Sequence, residues 1–420
     1  MSQAMLRKVI DYANRADPYP LYEELRRTPV FHDEDGPYVV STYHEIQALL
    51  HDPRISSDPR NLTLSASDPL GQDEGDESTL PPVFIRLDPP DHDRLRRITN
   101  RPFGPPHSPH RVHDMRGELG GIVSGLIDGL IDGLVGADSL ERIDLVEQFS
   151  YPFPVTVICR LLGVPHEDES RFHVWADTLA ASLDPDPDVD PGTTSKVAAD
   201  AQIELGMYLA GLIEERRKNP GEDMLSQLAA VDEEPDGSMS TLEIISTAAL
   251  LLIAGHETTV NLITNGMLTL LRHPDVLQRL REDPQLSVPI VEELLRYEPP
   301  VQLLPRRSAL ADIEVGGVTI PKGATVSLIL ASGNRDPKRF ENPDRFDPDR
   351  KDIQHLGLGS GIHSCFGAPL ARLEAQLALS ELARRLENPR LLEDPPPYRR
   401  NAVLRGPRHL PIACDGIRPA

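Results

Sequence analysis

Cys365 stands in a run of alternate glycines, Gly357, Gly359 and Gly361, with Gly367 directly behind it. Glycines so spaced suit neither a helix nor a strand interior; they describe a backbone that turns tightly and packs close against something flat. Ala368-Pro369-Leu370 then opens a strong helix former with proline in its first turn. A thiol just ahead of a helix N-terminus meets amide donors and the positive end of the dipole, which favour the metal-binding thiolate. Taken alone, such a cysteine is more often a buried, inert thiol. A second set is Ala254-Gly255-His256-Glu257-Thr258-Thr259, which interrupts an almost wholly apolar run. A glycine, an acid and two hydroxyls are the wrong residues for the middle of a buried helix. Gly255 clears the backbone for something to approach, and Thr258 can bond the carbonyl four residues back and loosen the ladder. Glu257 beside a hydroxyl can relay protons to a bound ligand. A threonine back-bonding in a core helix is the plainer reading, but it leaves the acid unexplained.

Two further pairs carry charge at helical spacing. His92 and Arg96, four apart, share a helix face and offer two donors to a ligand carboxylate; a solvated basic helix end explains them as well. Glu293 and Arg296 form an ExxR pair, a common and weak signal.

The elements that must position these residues are mostly helical, with small β-sheets. Ser240-Thr-Leu-Glu243 is a capping box that opens a helix reaching Leu271, about 45 Å long and able to cross a whole domain. Tyr19–Arg27 reads as a short helix, and Asp35-Gly36 within Val30–Val40 as a hairpin. Residues 54–90 make a long aperiodic loop whose apolar end, Val83-Phe84-Ile85, suits a lid over a cavity. Prolines after Phe103 forbid the helix that would align His107, His110 and His113 as metal ligands. Leu119–Leu134 and Val155–Leu162 are core-helix patterns. Asp184–Pro191 reads as an extended acidic linker, or as a rim attracting a cationic substrate group. Ile313–Val326 reads as short strands, and Asn334–Phe346 as an aperiodic meander.

Totals narrow the partners. With 43 basic and 66 acidic residues the net charge is −23, which argues against nucleic acid or an anionic membrane surface. No stretch approaches the ~18 apolar residues of a span, and residues 1–15 lack a signal-peptide core, so a cytoplasmic protein is expected. Cys159, Cys365 and Cys414 make no zinc spacing.

These segments, in this order and over essentially the whole chain, resemble the soluble bacterial cytochrome P-450 family of haem-thiolate monooxygenases. The most specific part is Gly359-x-Gly361-x-His363-x-Cys365-x-Gly367, similar to the family's haem-binding loop. The resemblance implies the family fold: a triangular helical prism crossed by a long central helix, with a β-rich lobe, in a single domain spanning 1–420. The β-rich lobe would take approximately 1–60 and 301–330, the helical lobe approximately 91–300 and 331–390. Cys365 would be the axial ligand of haem b, and Glu257 and Thr258 the acid and alcohol of proton delivery to O2. Ala254, Gly255, Leu358, Gly359 and Gly367 would lie against the haem, and His92, Arg96, Arg307 and His363 would hold its propionates. Glu293, Arg296 and Arg345 would form a structural triad behind the cysteine loop. Leu358 departs from the family's usual phenylalanine, which implies an altered reduction potential or weaker haem retention.

The resemblance further implies oxygen transfer to a small, mostly apolar molecule, as a natural-product hydroxylase or epoxidase of secondary metabolism such as antibiotic biosynthesis. Val83, Phe84, Ala254, Leu303, Leu304, Val403 and Leu404 would contact the substrate. Electrons would come ultimately from NAD(P)H through a separate ferredoxin and ferredoxin reductase, docking a monomer at Arg97, Arg101 and Arg372. Oxidative coupling is an alternative within the haem-thiolate class. A non-enzymatic haem sensor, which needs neither Glu257 nor Thr258, is the alternative outside it.

Overall fold

The structure, a computed structural model, describes residues 5–33, 36–62, 80–104, 108, 110–132, 142–183, 191–230 and 238–420. Asp35, His107 and the acidic stretch 184–190 lie outside the described residues. Strands β1 (Val30–His32) and β2 (Tyr38–Val40) pair antiparallel across the turn at Gly36, with Val30 opposite Val40. Together with β3 (Ile55–Ser56), β4 (Leu304–Ala309) and β5 (Thr325–Leu328) they build a five-stranded sheet in the order β1-β2-β5-β4-β3. Its β2–β5 pair is parallel, Val39 against Ser327, so the chain's beginning and its later third close one sheet. Val40, Val326 and Leu328 are fully buried there against Tyr43, Ile46 and Phe340. The β-branched side chains suit such a pleated, half-covered surface.

Five helices frame the site: α1 (Asp91–Asn100), α2 (Pro152–Leu162), α3 (Thr241–Arg272), α4 (Ser287–Tyr297) and α5 (Ala368–Arg385). The capping box at the start of α3 is complete: Ser240 N–H donates to Glu243 Oε2 at 2.7 Å, and Glu243 N–H to Ser240 Oγ at 3.2 Å. At 32 residues α3 runs about 48 Å, and Arg272 in its last turn meets the negative end of the dipole. It packs against α2, α4 and α5 inside one continuous apolar core that includes Leu252, Ile263, Leu268 and Leu379. Burying each such side chain contributes about 1.5–3 kcal/mol. Gly266 is what lets α4 and α5 come this close, because a Cβ there would lie 2.9 Å from Leu379 and 3.0 Å from Leu294.

The helix expected at Leu119–Leu134 is observed over Arg116–Asp132. The chain beyond α5, for which sequence periodicity yields no elements, pairs Arg390–Leu391 with Pro411–Ala413 and the latter with Ile143–Asp144. Between those strands, residues 398–407 turn back as a hairpin, with Tyr398 bridged to Pro407, and come to rest on α3. Among the described residues no helix is long and apolar enough to cross a membrane.

Candidate active site

α3 and the N-terminal end of α5 form opposite walls of a cleft of about 760 Å³ including its open mouth. One wall presents Ala254, Thr258 and Thr259; the other presents Cys365, Phe366 and Gly367. Phe84, Ile85, Ile158, Leu161, Leu250 and Leu251 make the rest predominantly apolar.

The cysteine loop is built as its glycines require. Gly359 and Gly361 sit at φ +70°, where L side chains are strained. A Cβ on Gly357 would collide with the carbonyl of Leu295 in α4, and one on Gly361 with the carbonyl of Leu50. The loop is thus wedged between two helices and closed by Cys365 N–H donating to Leu358 O at 2.8 Å. Cys365 is open to the cleft and enclosed by protein on its other sides. Burial pushes its thiol up, against the amides of Gly367 and Ala368 and the charges of Arg96 and Arg372. The helix end alone therefore does not produce the low-pKa cysteine expected from sequence; a thiolate at this position would need a cation beside it.

On α3, Thr258 Oγ1 donates to Ala254 O at 2.6 Å, the back-bond its type predicts. Glu257 is 4% exposed and pairs with Arg399 Nη1 at 3.4 Å, on the hairpin side of the helix rather than in the cleft wall. Gly255 lines the cleft beside Ala254, and its missing side chain also lets α2 approach, since a Cβ there would lie 2.9 Å from Ile158 Cδ1.

A buried basic group meets the cleft at His363. The His363 and His92 rings lie 4.5 Å apart, Arg96 Nη2 donates to Ser364 O at 2.6 Å, and His92 Nδ1 is 2.8 Å from Asp93 Oδ1. His92 Nε2, Arg96 Nη1 and both ring nitrogens of His363 are buried without a partner. Burial, His92, Arg307 and Arg96 hold His363 down at about 4, with only Asp88 opposing. Burial likewise lowers Arg96 and Arg307. Buried nitrogens without partners, set beside two arginines, suit an anion, and two carboxylates fit that place. A haem would bring them as propionates, beside an accessible cysteine able to ligate its iron; the residues present fit that group.

Behind the loop, Arg296 is completely satisfied. Nε and Nη2 donate to the two oxygens of Glu293 at 2.8 and 2.7 Å, and the remaining hydrogens reach the carbonyls of Asn334, Pro343 and Arg345 at 3.0, 2.7 and 3.1 Å. Arg345 contributes only that carbonyl, and its side chain is exposed. The third charged member is Arg350, with Nε 3.4 Å from Glu293 Oε2, which corrects the expected triad.

Of the expected substrate contacts, Phe84 and Ala254 line the cleft. Leu303 does not: it is fully buried beside Leu6, Tyr22 and Ile329, and Val403 packs on that same cluster. Leu304 packs on the core under the five-stranded sheet, Leu404 is bridged to Val301, and Val83 stays outside the lining. Leu250 and Leu251, four and three residues before Ala254, were legible as the same helix face; Ile158 carried no sequence signal. Glu374 was also missed. It lines the cleft with Oε2 unpartnered, and burial raises its carboxyl well above the usual range. Arg97 is exposed on α1 and Arg101 half-buried, whereas Arg372 is bound through Nε and Nη2 to Glu292 at 2.5 and 3.0 Å. Against burial, which raises it, His355 and Arg372 bring Glu292 down to about 2, and the Arg372 guanidinium is committed to that ion pair.

The cytochrome P450 family model matches residues 168–289 and 286–411. The cytochrome P450 monooxygenase PikC of Streptomyces venezuelae is 41% identical over 94% of this chain and 91% of its own length. The 6-deoxyerythronolide B hydroxylase of Saccharopolyspora erythraea is 37% identical over 95% of this chain and 96% of its own. The crystal structure of ligand-free CYP164A2 of Mycobacterium smegmatis matches with a TM-score of 0.82 at 41% identity, covering 98% of this chain and all of that one. With its glycine-wedged cysteine facing a threonine across an apolar cleft, the chain belongs to the cytochrome P450 family.

Proposed function

We propose that this monooxygenase oxygenates a small, mostly apolar natural product, by hydroxylation or epoxidation, with Cys365, Thr258 and Glu257 carrying the chemistry. The observation behind this reading is one cleft that joins an accessible cysteine, a back-bonded threonine and, at His363, the edge of a group of unpartnered buried nitrogens. Cys365 would ligate the haem iron, and His92, Arg96, Arg307 and His363 would hold the propionates. Haem iron ligated by the Cys365 thiolate would supply the reductive activation of O2. The protein supplies the rest. Thr258, steadied by Ala254 O, holds a proton at the cleft face; Glu257, steadied by Arg399, replenishes it. Leu250, Leu251, Phe84 and Ile85 exclude water and bind the substrate by apolar burial, worth about 25 cal/mol per Å².

Electrons would come from NAD(P)H through a ferredoxin and its reductase, docking near the exposed Arg97. A relative that hydroxylates 6-deoxyerythronolide B supports a polyketide-like substrate. The test is the reduced protein with CO. A strongly red-shifted Soret band is expected, lost in Cys365→Ser; its absence in folded, haem-loaded protein would sink the assignment. A screen of natural products for substrate-induced spin shifts then identifies the ligand. A haem sensor would keep its function in Thr258→Ala, whereas the enzyme would lose coupling of electron use to product.

A further inference from the structure

The hairpin 398–407 meets α3 through polar groups. Arg399 faces Glu257, the backbone at Gly406 rests so close to Asn261 that a Cβ there would collide with its side chain, and Asn265 Nδ2 donates to Arg405 O at 2.9 Å. Glu257, Asn261 and Asn265 recur every four residues and so share one stripe of the helix. Asn261 is 0% exposed and Asn265 2%. Both polar atoms of the Asn261 amide, and Oδ1 of Asn265, have no hydrogen-bond partner in the protein. Each unsatisfied buried group costs about 1–3 kcal/mol, and native interiors satisfy such groups with ordered water. Four helical residues rise about 6 Å, the span of one water making two hydrogen bonds of about 2.8 Å.

The stripe leads outward. Asn265 Nδ2 also reaches Glu298 O at 3.4 Å, and the Glu298 carboxylate pairs with Arg405 and accepts from Tyr19 Oη at 3.1 Å. Tyr19 and Glu298, with Asp17, Glu23 and Arg272, line an open polar cleft of about 1080 Å³. None of these residues lines the substrate cleft.

We infer that this seam carries water, and through it protons, from the Tyr19–Glu298 cleft to Glu257, on the side of α3 turned away from the substrate. The inference rests on Glu257 being the acid that recharges Thr258. Inserting one oxygen atom of O2 leaves the other as water, which consumes two electrons and two protons. NAD(P)H, through the redox partners, supplies the electrons; the seam supplies the protons, with Asn261 positioning the chain of water.

Asn261→Leu keeps the shape of the side chain and removes both polar atoms. It is expected to lower product formed per NAD(P)H consumed by about tenfold and to enlarge the solvent isotope effect on turnover. The CO band and the substrate spin shift should stay unchanged, and Asn261→Ser should recover most of the loss. Crystals of the resting wild-type enzyme should show ordered water bonded to the Asn261 amide. A dry Asn261, or a leucine variant with wild-type coupling and isotope effect, overturns the seam; the wild-type crystal decides even if the leucine variant does not fold. If Glu257→Gln leaves turnover intact, it is the reading of the acid that fails, whatever water lies at Asn261.

Discussion

Two basic clusters in this molecule differ in how far their hydrogen-bonding capacity is used. Arg296 has every guanidinium hydrogen bonded, to Glu293 and to three carbonyls of the meander. The His92–Arg96–His363 group has donors left over, with four nitrogens lacking any partner. Arg96 and His363 are half-buried as residues, but their unpartnered nitrogens are as hidden from water as the Arg296 guanidinium, so atomic burial does not tell a structural lock from a ligand site. Unspent hydrogen-bonding capacity does, because a satisfied network holds the fold in one arrangement while an unsatisfied one carries a standing cost that a ligand can remove.

The comparison breaks most visibly at the lock. Arg296→Leu leaves the Glu293 carboxylate buried with only Arg350 and the Asp347 amide, and is expected to cost roughly 3–5 kcal/mol, a large share of a typical domain's stability. Denaturant unfolding of the haem-free protein measures it, and a loss under ~1 kcal/mol would remove the distinction. The opposite behaviour is expected at the open cluster. Arg96→Leu or His363→Ala should leave the haem-free protein within about 1 kcal/mol of wild type, since no protein acceptor is abandoned except Ser364 O. Haem affinity should fall by roughly 10- to 100-fold, read from transfer to a competing haem-binding protein.

A buried histidine outside both clusters provides a control of known sign. His256, held by Tyr151 O at 3.1 Å, is pushed down to about 3 chiefly by burial. Its folded value lies below the unfolded one of about 6.5, so the unfolded chain binds the extra proton between them. Its contribution to stability is present above pH ~6.5 and is lost as pH falls toward 3, with a slope of at most about 1.4 kcal/mol per pH unit. Unfolding midpoints that move less steeply across that window in His256→Asn are the expected result; an unchanged slope would mean the histidine is not kept neutral. The smallest effect is expected for Leu358→Phe. Phe366 already stacks on Phe103 with centroids 4.6 Å apart and lies 5.7 Å from Phe84, so aromatic cover beside Cys365 is present without residue 358. A reduction potential and haem retention close to wild type would sharpen that reading, whereas a large shift in either would restore residue 358 as the tuning position.

The differences in legibility follow from the range of the interactions involved. The capping box of α3, the Thr258 back-bond and the turns at Gly359 and Gly361 are decided within a few residues, so residue type and spacing suffice to read them. The helix face of Ala254 extends to Leu250 and Leu251 by the same periodicity. Arg345 and Arg350 show where that reasoning stops. Both lie in an aperiodic meander, and only the packed path of the backbone determines that Arg350 reaches Glu293 while Arg345 faces solvent.

From the sequence alone came a mainly helical chain, its one long buried helix, the acid and alcohol at that helix's centre and the glycine-wedged cysteine before another helix. The tertiary structure decided that Glu257 answers to Arg399, that Ile158 fills the space at Gly255, that Leu303 belongs to a different core, and that Cys365 is not made acidic by its helix end alone. Each of these depends on which groups, distant in the chain, exclude water from one another. Desolvation and long-range pairing have no period along a sequence, and they exist only once the elements have packed.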